Sequence, residues 1–341
     1  MLIEIGTPGC LPLGLVKFED EAGPRTCLLG LTVQHPPIQV FAQAYSGLQV
    51  TGPRADLGYS QAETFLQHHS LPRTGEVEIE STIPNLVGLG SDILQGLSVA
   101  KALAWLHTIP EEAQTTPSLA QGLGLTASHS LDMWASDQGG LLLIDLEHKD
   151  ENGFHPIIRR HEVSHAERFA WAFVFLFPDD TDTISETFEA ERREALFSSI
   201  PHLSGETGEL FDKILWPAVE NDDYDAFAQS LMKIHQLNEA ALAQAGSSVD
   251  ISEENQALLN LMEETGADAW GQNLWGYSFY GLIKGGDASR NLRKVLRKQV
   301  GFFGGTILAT IADNRGLQAA VDEDRNIHDG RLKPVTNLNL G

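Results

Sequence analysis

Apolar and polar residues alternate with a period of two in some stretches and near 3.6 in others, and the changes between them lay out the chain. Up to about residue 50, short apolar runs are separated by Gly6-Thr7-Pro8-Gly9, Glu21-Ala22-Gly23-Pro24 and His35-Pro36-Pro37, which reads as strands joined by turns. Gly75 to Ile83 alternates acidic and apolar residues, the pattern of a half-exposed strand. Ile93, Leu97, Ala100 and Ala104 then recur at helical spacing. Gly139-Gly140 reads as a hairpin turn into a buried strand at Leu141–Asp145, and Trp171 to Phe177 as a fully apolar strand stopped by Pro178. Phe227, Leu231 and Ile234 share one helical face, with Gly246 beyond it. Ser252 is placed to N-cap a helix that carries Leu258, Leu261 and Met262 and stops at Gly266. A last strand is predicted at Thr306 to Ala312.

Strands, a helix, more strands and then mixed elements predict an α+β layer architecture. At 341 residues the chain has room for two domains, and the polar stretch Glu147 to Gly153 divides it best, into residues 1–152 and 153–341. The 47 acidic against 23 basic residues give a formal charge of −24. Such a surface repels nucleic acid and anionic lipid, and no basic cluster offsets it. No apolar run reaches the roughly 20 residues of a membrane span. Two cysteines, Cys10 and Cys27, make no disulfide framework, and with no signal-peptide pattern at the start the expected address is the cytosol.

Charge also bears on ligand chemistry. An acidic protein that binds phosphate must gather its few cations or use backbone amides. Pro84-Asn85-Leu86-Val87-Gly88-Leu89-Gly90-Ser91-Asp92 offers the second solution. Gly88 and Gly90 let N–H groups turn into one concavity, and the following helix points its positive end there. The spacing is neither a Walker loop nor a dinucleotide fingerprint. Asp92 at the helix start serves as a dipole partner, and a bound polyphosphate beside it would need a divalent cation between them. Elsewhere, His161 and His165 have the i, i+4 spacing of a zinc helix without its context or a third ligand, so no metal site is predicted. No Gly-x-Ser-x-Gly elbow is present.

The loop resembles that of the galactokinase–homoserine kinase–mevalonate kinase (GHMP) superfamily at Pro84, Gly88, Leu89, Gly90 and Ser91, with Asp92 where the pattern has a second serine. Over most of its length the chain is similar to the β-ribofuranosylaminobenzene 5′-phosphate synthases of that superfamily. The likeness also runs through Leu215 to Asp222 and through Gly266-Ala267, Gly271-Gln272, Trp275-Gly276 and Tyr280. This resemblance implies a two-domain GHMP fold, with a ribosomal-protein-S5-like N-terminal and a ferredoxin-like C-terminal domain. It implies phosphoribosyl diphosphate or ATP as ligand, Mg²⁺ as the accompanying ion and a small phosphorylated substrate as partner; a homodimer stays open. The family joins ribose 5-phosphate to 4-aminobenzoate or 4-hydroxybenzoate, with loss of diphosphate and carbon dioxide, in tetrahydromethanopterin-type synthesis. Phosphate-loop residues are then Pro84, Gly88, Leu89, Gly90, Ser91 and Asp92, and substrate-binding candidates are Arg25, Gly271, Gln272, Trp275 and Gly276. The polar positions differ: Cys10-Leu11-Pro12, Leu86, Ser128 to Asp132 and Asn273-Leu274 replace the family's charged and hydroxyl groups. Three readings follow: a ribosyl-phosphate transferase, an ATP-dependent small-molecule kinase, or a non-catalytic or altered relative that binds a phosphorylated ligand.

Overall fold

The structure, a computed structural model, describes residues 1–20, 23–163, 170–179, 184–185, 187–247, 253–300 and 304–327. It opens with two long strands, β1 (Leu2–Asp20) and β2 (Gly23–Gln43), then β3 (Leu48–Thr51), α1 (Ala55–His68) and β4 (Gly75–Ser81). Next come α2 (Ser91–Leu106), α3 (Thr116–Gly122), α4 (Ser130–Gln138), β5 (Leu141–Asp145) and β6 (Ile157–His161). They are followed by β7 (Trp171–Pro178), α5 (Phe188–Ser198), α6 (Glu206–Leu210) and α7 (Trp216–Glu220). The last elements are α8 (Tyr224–Gln244), α9 (Glu253–Glu264), β8 (Ala269–Gln272), β9 (Phe279–Lys284), α10 (Gly286–Val300), β10 (Gly305–Ile311) and β11 (Gln318–Asp322).

The large sheet runs β11-β1-β2-β4-β3, with β5 pairing a second segment of β2 and β6 pairing β5; the smaller sheet runs β10-β7-β9-β8. Helix α2 is buried along most of its length against the large sheet, as its apolar spacing requires. Strand β7 is apolar throughout because both faces are covered. Phe173, Phe175 and Phe177 join the main core, while Ala172, Val174 and Leu176 face a second core under α9 and α10.

Several expectations change. Gly6-Thr7-Pro8-Gly9 and His35-Pro36-Pro37 are not turns. They lie opposite each other inside the β1–β2 ribbon, where the register jumps from Thr7↔Ile38 to Gly9↔Val33. An irregularity in the ladder leaves proline without an N–H to supply, so the prolines punctuate a bulge rather than end a strand. Gly139-Gly140 joins helix α4 to β5 instead of closing a hairpin; both adopt positive φ, and a Cβ at Gly140 would lie 2.6 Å from the His161 carbonyl oxygen. The strand at 306–312 is present but not the last, since β11 returns to pair with β1. Residue 152 lies between β5 and β6, which pair in the large sheet. Cys10 and Cys27 are buried free thiols. Ser164, His165 and Ser252 lie outside the described residues; His161 packs edge-on against Trp216 at 5.9 Å. Among the described residues no helix is long and apolar enough to cross a membrane.

Candidate functional site

The glycine loop joins β4 to α2 through a tight series of left-handed residues: Leu86 at φ 62°, Gly88 at 77° and Gly90 at 78°. Leucine pays a steric cost in this region of roughly 1–2 kcal/mol, so the surroundings must hold the turn. Those surroundings are the segment after β8. Tyr277 N–H donates to the Leu86 carbonyl at 2.6 Å, the Ser278 hydroxyl to the Val87 carbonyl at 2.7 Å, and Asn273 Nδ2 to the Gly88 carbonyl at 3.0 Å. Asn273 Oδ1 accepts from the N–H groups of Trp275 and Gly276, so one amide side chain ties two turns together. From the other side, Cys10 N–H donates to the Leu89 carbonyl at 3.1 Å. The backbones meet so closely that a Cβ on Gly276 would lie 2.1 Å from the Gly88 nitrogen.

With the carbonyls of residues 86–89 held in this way, the concavity presents N–H groups and the start of α2. Gly90 caps that helix with no side-chain bond. The Gly88 N–H is nevertheless engaged: it donates to Oε1 of Glu189, from α5, at 2.6 Å. Burial pushes the Glu189 carboxyl up to about 7, opposed by the Gly88 bond and by Arg193 and reinforced by Asp92 and Asp132. Asp92, read as a dipole partner at the start of α2, is engaged there by its neighbours. Its Oδ1 accepts from Arg54 Nη2 at 2.6 Å and from the Ser91 hydroxyl at 2.9 Å.

Three arginines converge on the loop, which is how this acidic chain concentrates positive charge. Arg54 reaches Asp92 and Asn85. Arg193 donates to Oδ2 of the fully buried Asp132 at 3.1 Å and lies 4.2 Å over the Trp275 ring. Arg192 donates to the Leu274 carbonyl at 3.0 Å, and burial lowers its pKa to about 10. Arg54 Nη1, Arg192 Nε and Nη1, Asp132 Oδ1 and Trp275 Nε1 are all buried without a hydrogen-bond partner. Buried polar atoms usually find a partner, and these five lie around one loop.

The structure thus gathers Pro84, Gly88, Leu89, Gly90, Ser91 and Asp92 with Trp275 and Gly276. Gly276 supplies the close approach, and the face of Trp275 is covered by Arg193. Gly271 and Gln272 sit one turn back, in β8, where Gly271 faces His235. The amide that reaches the loop belongs to Asn273. Arg25 is not brought to the loop. It lies over the Phe18 ring seven residues along β2 from Thr32, whose β1 partner Cys10 touches the loop, roughly 20 Å away at the rise of a strand. The sequence reading missed Arg54, Asp132, Glu189, Arg192, Arg193 and Asn273. One signal was there: Glu189, Arg193 and Leu196 share a helical face, and Leu196 is buried.

The chain matches no protein-family profile. Its backbone has the fold of the GHMP kinases, of the α+β class expected from the order of its elements. A homoserine kinase from Cytophaga hutchinsonii superposes with a TM-score of 0.60 at 13% identity, covering 94% of this chain and 97% of that one. Mevalonate kinase from L. major, solved with R-mevalonate, superposes at 0.61 with 15% identity, covering 90% and 94%. In sequence the chain is similar to a β-ribofuranosylphenol 5′-phosphate synthase from Archaeoglobus fulgidus, 24% identical over 335 residues, 94% of this chain and all of that one. The resemblance to the GHMP superfamily, and within it to the ribofuranosyl phosphate synthases, therefore stands.

Proposed function

We propose that the chain is an enzyme that binds a phosphorylated donor at the glycine loop and transfers its ribose 5-phosphate to an aromatic acid. The observation that carries this reading is the similarity to a phosphate synthase over 94% of this chain and all of that one. The site geometry adds what loss of a diphosphate needs. Negative charge grows on the leaving oxygen as the bond to the anomeric carbon breaks, and preoriented amides, a helix N-terminus and guanidinium groups stabilise it at that point. Arg54 and Arg192 each keep a donor free for such an oxygen. In the reaction, the ring carbon bearing the carboxylate bonds to the anomeric carbon and diphosphate departs. The carbon–carboxylate bond then breaks, carbon dioxide leaves, and its electron pair restores the aromatic ring.

The Mg²⁺ that such a donor carries fits the site in a limited way. No three acidic, His or Cys side chains among the described residues gather to hold an ion. Mg²⁺ is usually held by one or two carboxylates together with substrate phosphates and water, and the buried, unpartnered Asp132 Oδ1 is the oxygen suited to it. When bound, the ion would neutralise the diphosphate. The decisive experiment is release of labelled carboxyl carbon from 4-aminobenzoate or 4-hydroxybenzoate with phosphoribosyl diphosphate and Mg²⁺. No release with any divalent ion excludes the reaction.

A second reading, phosphoryl transfer from ATP, is favoured by the fold shared with homoserine and mevalonate kinases. Calorimetry with ATP and with phosphoribosyl diphosphate, each with Mg²⁺, separates the two.

A further inference from the structure

Glu189 holds the position where a ligand anion would meet the glycine loop. Its carboxylate oxygen lies 2.6 Å from the Gly88 nitrogen, the short distance of a charge-assisted bond. Every other contact of the loop backbone described above is made through a carbonyl and braces the turn. This one takes an N–H on the side a phosphate would use. The carboxylate is delivered by α5, which also carries Arg192 and Arg193, so a single helix brings both a mimic of the ligand and cations for it. We propose that Glu189 is an internal anion that competes with the ligand for the Gly88 amide, and that an incoming phosphate group binds by displacing it. This rests on the reading of the loop as a phosphate site.

The charge environment fits a replaceable occupant. Facing Glu189 are the Gly88 N–H from the loop, Asp92 from α2, Asp132 from α4 and Arg193 one turn along its own helix. Two of these four are carboxylates. They oppose ionisation of Glu189, and burial opposes it further, which places its titration at about pH 7. Below that pH the neutral acid is a weak competitor; above it, the carboxylate holds the amide more firmly. Once released, Glu189 no longer draws on Arg193.

The test is calorimetric binding of inorganic diphosphate, with ATP as a second probe, to the full chain and to Glu189→Gln and Glu189→Asp from pH 6 to 8.5. Comparing each variant with wild type at the same pH removes the ligand's own titration. Near pH 6 the three proteins bind within about threefold of one another. By pH 8.5 wild type is at least tenfold weaker than Glu189→Gln, because each pH unit above the titration adds up to a decade. Glu189→Asp is one methylene too short to reach Gly88 and follows Glu189→Gln. Because the ionised form is the costly one, Glu189→Gln also melts no lower than wild type at pH 8, which separates a binding effect from misfolding. Equal affinities at every pH overturn the proposal and leave the phosphate reading intact. Absence of binding by all three proteins overturns both.

Discussion

Gly276→Ala is the substitution that most directly probes how the loop is held. The added Cβ would sit 2.1 Å from the Gly88 nitrogen and 2.2 Å from both Gly88 Cα and the Val87 carbonyl carbon, all backbone atoms with no rotamer to yield. Reaching an ordinary 3.4 Å contact requires the two segments to part by about 1.3 Å. A displacement of that size takes three bonds out of range: Tyr277 to Leu86 at 2.6 Å, Ser278 to Val87 at 2.7 Å and Asn273 to Gly88 at 3.0 Å. At about 1 kcal/mol net for each, the loss is about 3 kcal/mol. With an unfolding entropy near 2.1 cal/mol/K per residue, that lowers the melting temperature of a 341-residue chain by about 4 °C. Gly271→Ala is the control. Its Cβ would meet only the His235 ring, no nearer than 3.4 Å, and should change stability by less than about 1 kcal/mol. The assay is thermal unfolding followed by circular dichroism, paired with diphosphate calorimetry. Gly276→Ala should lose both stability and binding, and Gly271→Ala neither. If Gly276→Ala melts within 1 °C of wild type and binds diphosphate unchanged, the brace is not what shapes the loop.

Arg193→Met leaves the fully buried Asp132 carboxylate without its cation, and breaking such a pair costs about 3–5 kcal/mol. Adding Asp132→Asn should recover much of that stability in chemical denaturation, and failure to recover any would mean that Arg193 acts through Trp275 instead. His235 donates from Nε2 to the Leu13 carbonyl and lies against the Tyr280 hydroxyl, and burial lowers its pKa to about 4. The unfolded chain takes up that proton near pH 6.5 and the native one only near 4, so stability is full above 6.5 and declines as pH falls towards 4. The gap corresponds to about 3 kcal/mol, and His235→Gln should flatten that part of the stability–pH curve. Asp92→Ser frees Arg54 for a ligand oxygen. It should tighten diphosphate binding severalfold while changing stability by less than about 1 kcal/mol, because Asp92 is half exposed. Unchanged binding would refute this, and weaker binding would show that Asp92 assists the ligand.

The glycine loop was legible because its chemistry is local: two glycines at fixed spacing, a strand before them and an apolar helix after. Helix α2, strand β7 and helix α8 were legible for the same reason, each being a periodic run with its own stops. The β1–β2 ribbon was not. Its Gly-Pro clusters carry the residues of turns, and only pairing across two strands shows that they face each other as a bulge. The cations of the site were hidden by long-range packing. Arg54 precedes α1, whereas Glu189, Arg192 and Arg193 lie about 100 residues beyond the loop, in a stretch whose Glu-Arg-Arg-Glu run reads as a solvated helix face. Asn273 reads as a departure from the family pattern, yet its amide closes the loop against the second turn.

The most direct test of the central claim is decarboxylation measured with purified protein, phosphoribosyl diphosphate, Mg²⁺ and carboxyl-labelled 4-aminobenzoate or 4-hydroxybenzoate. The account predicts labelled carbon dioxide released in step with diphosphate, and a loss of that release in Gly276→Ala. Diphosphate or ATP binding with no labelled carbon dioxide from either acid would contradict it.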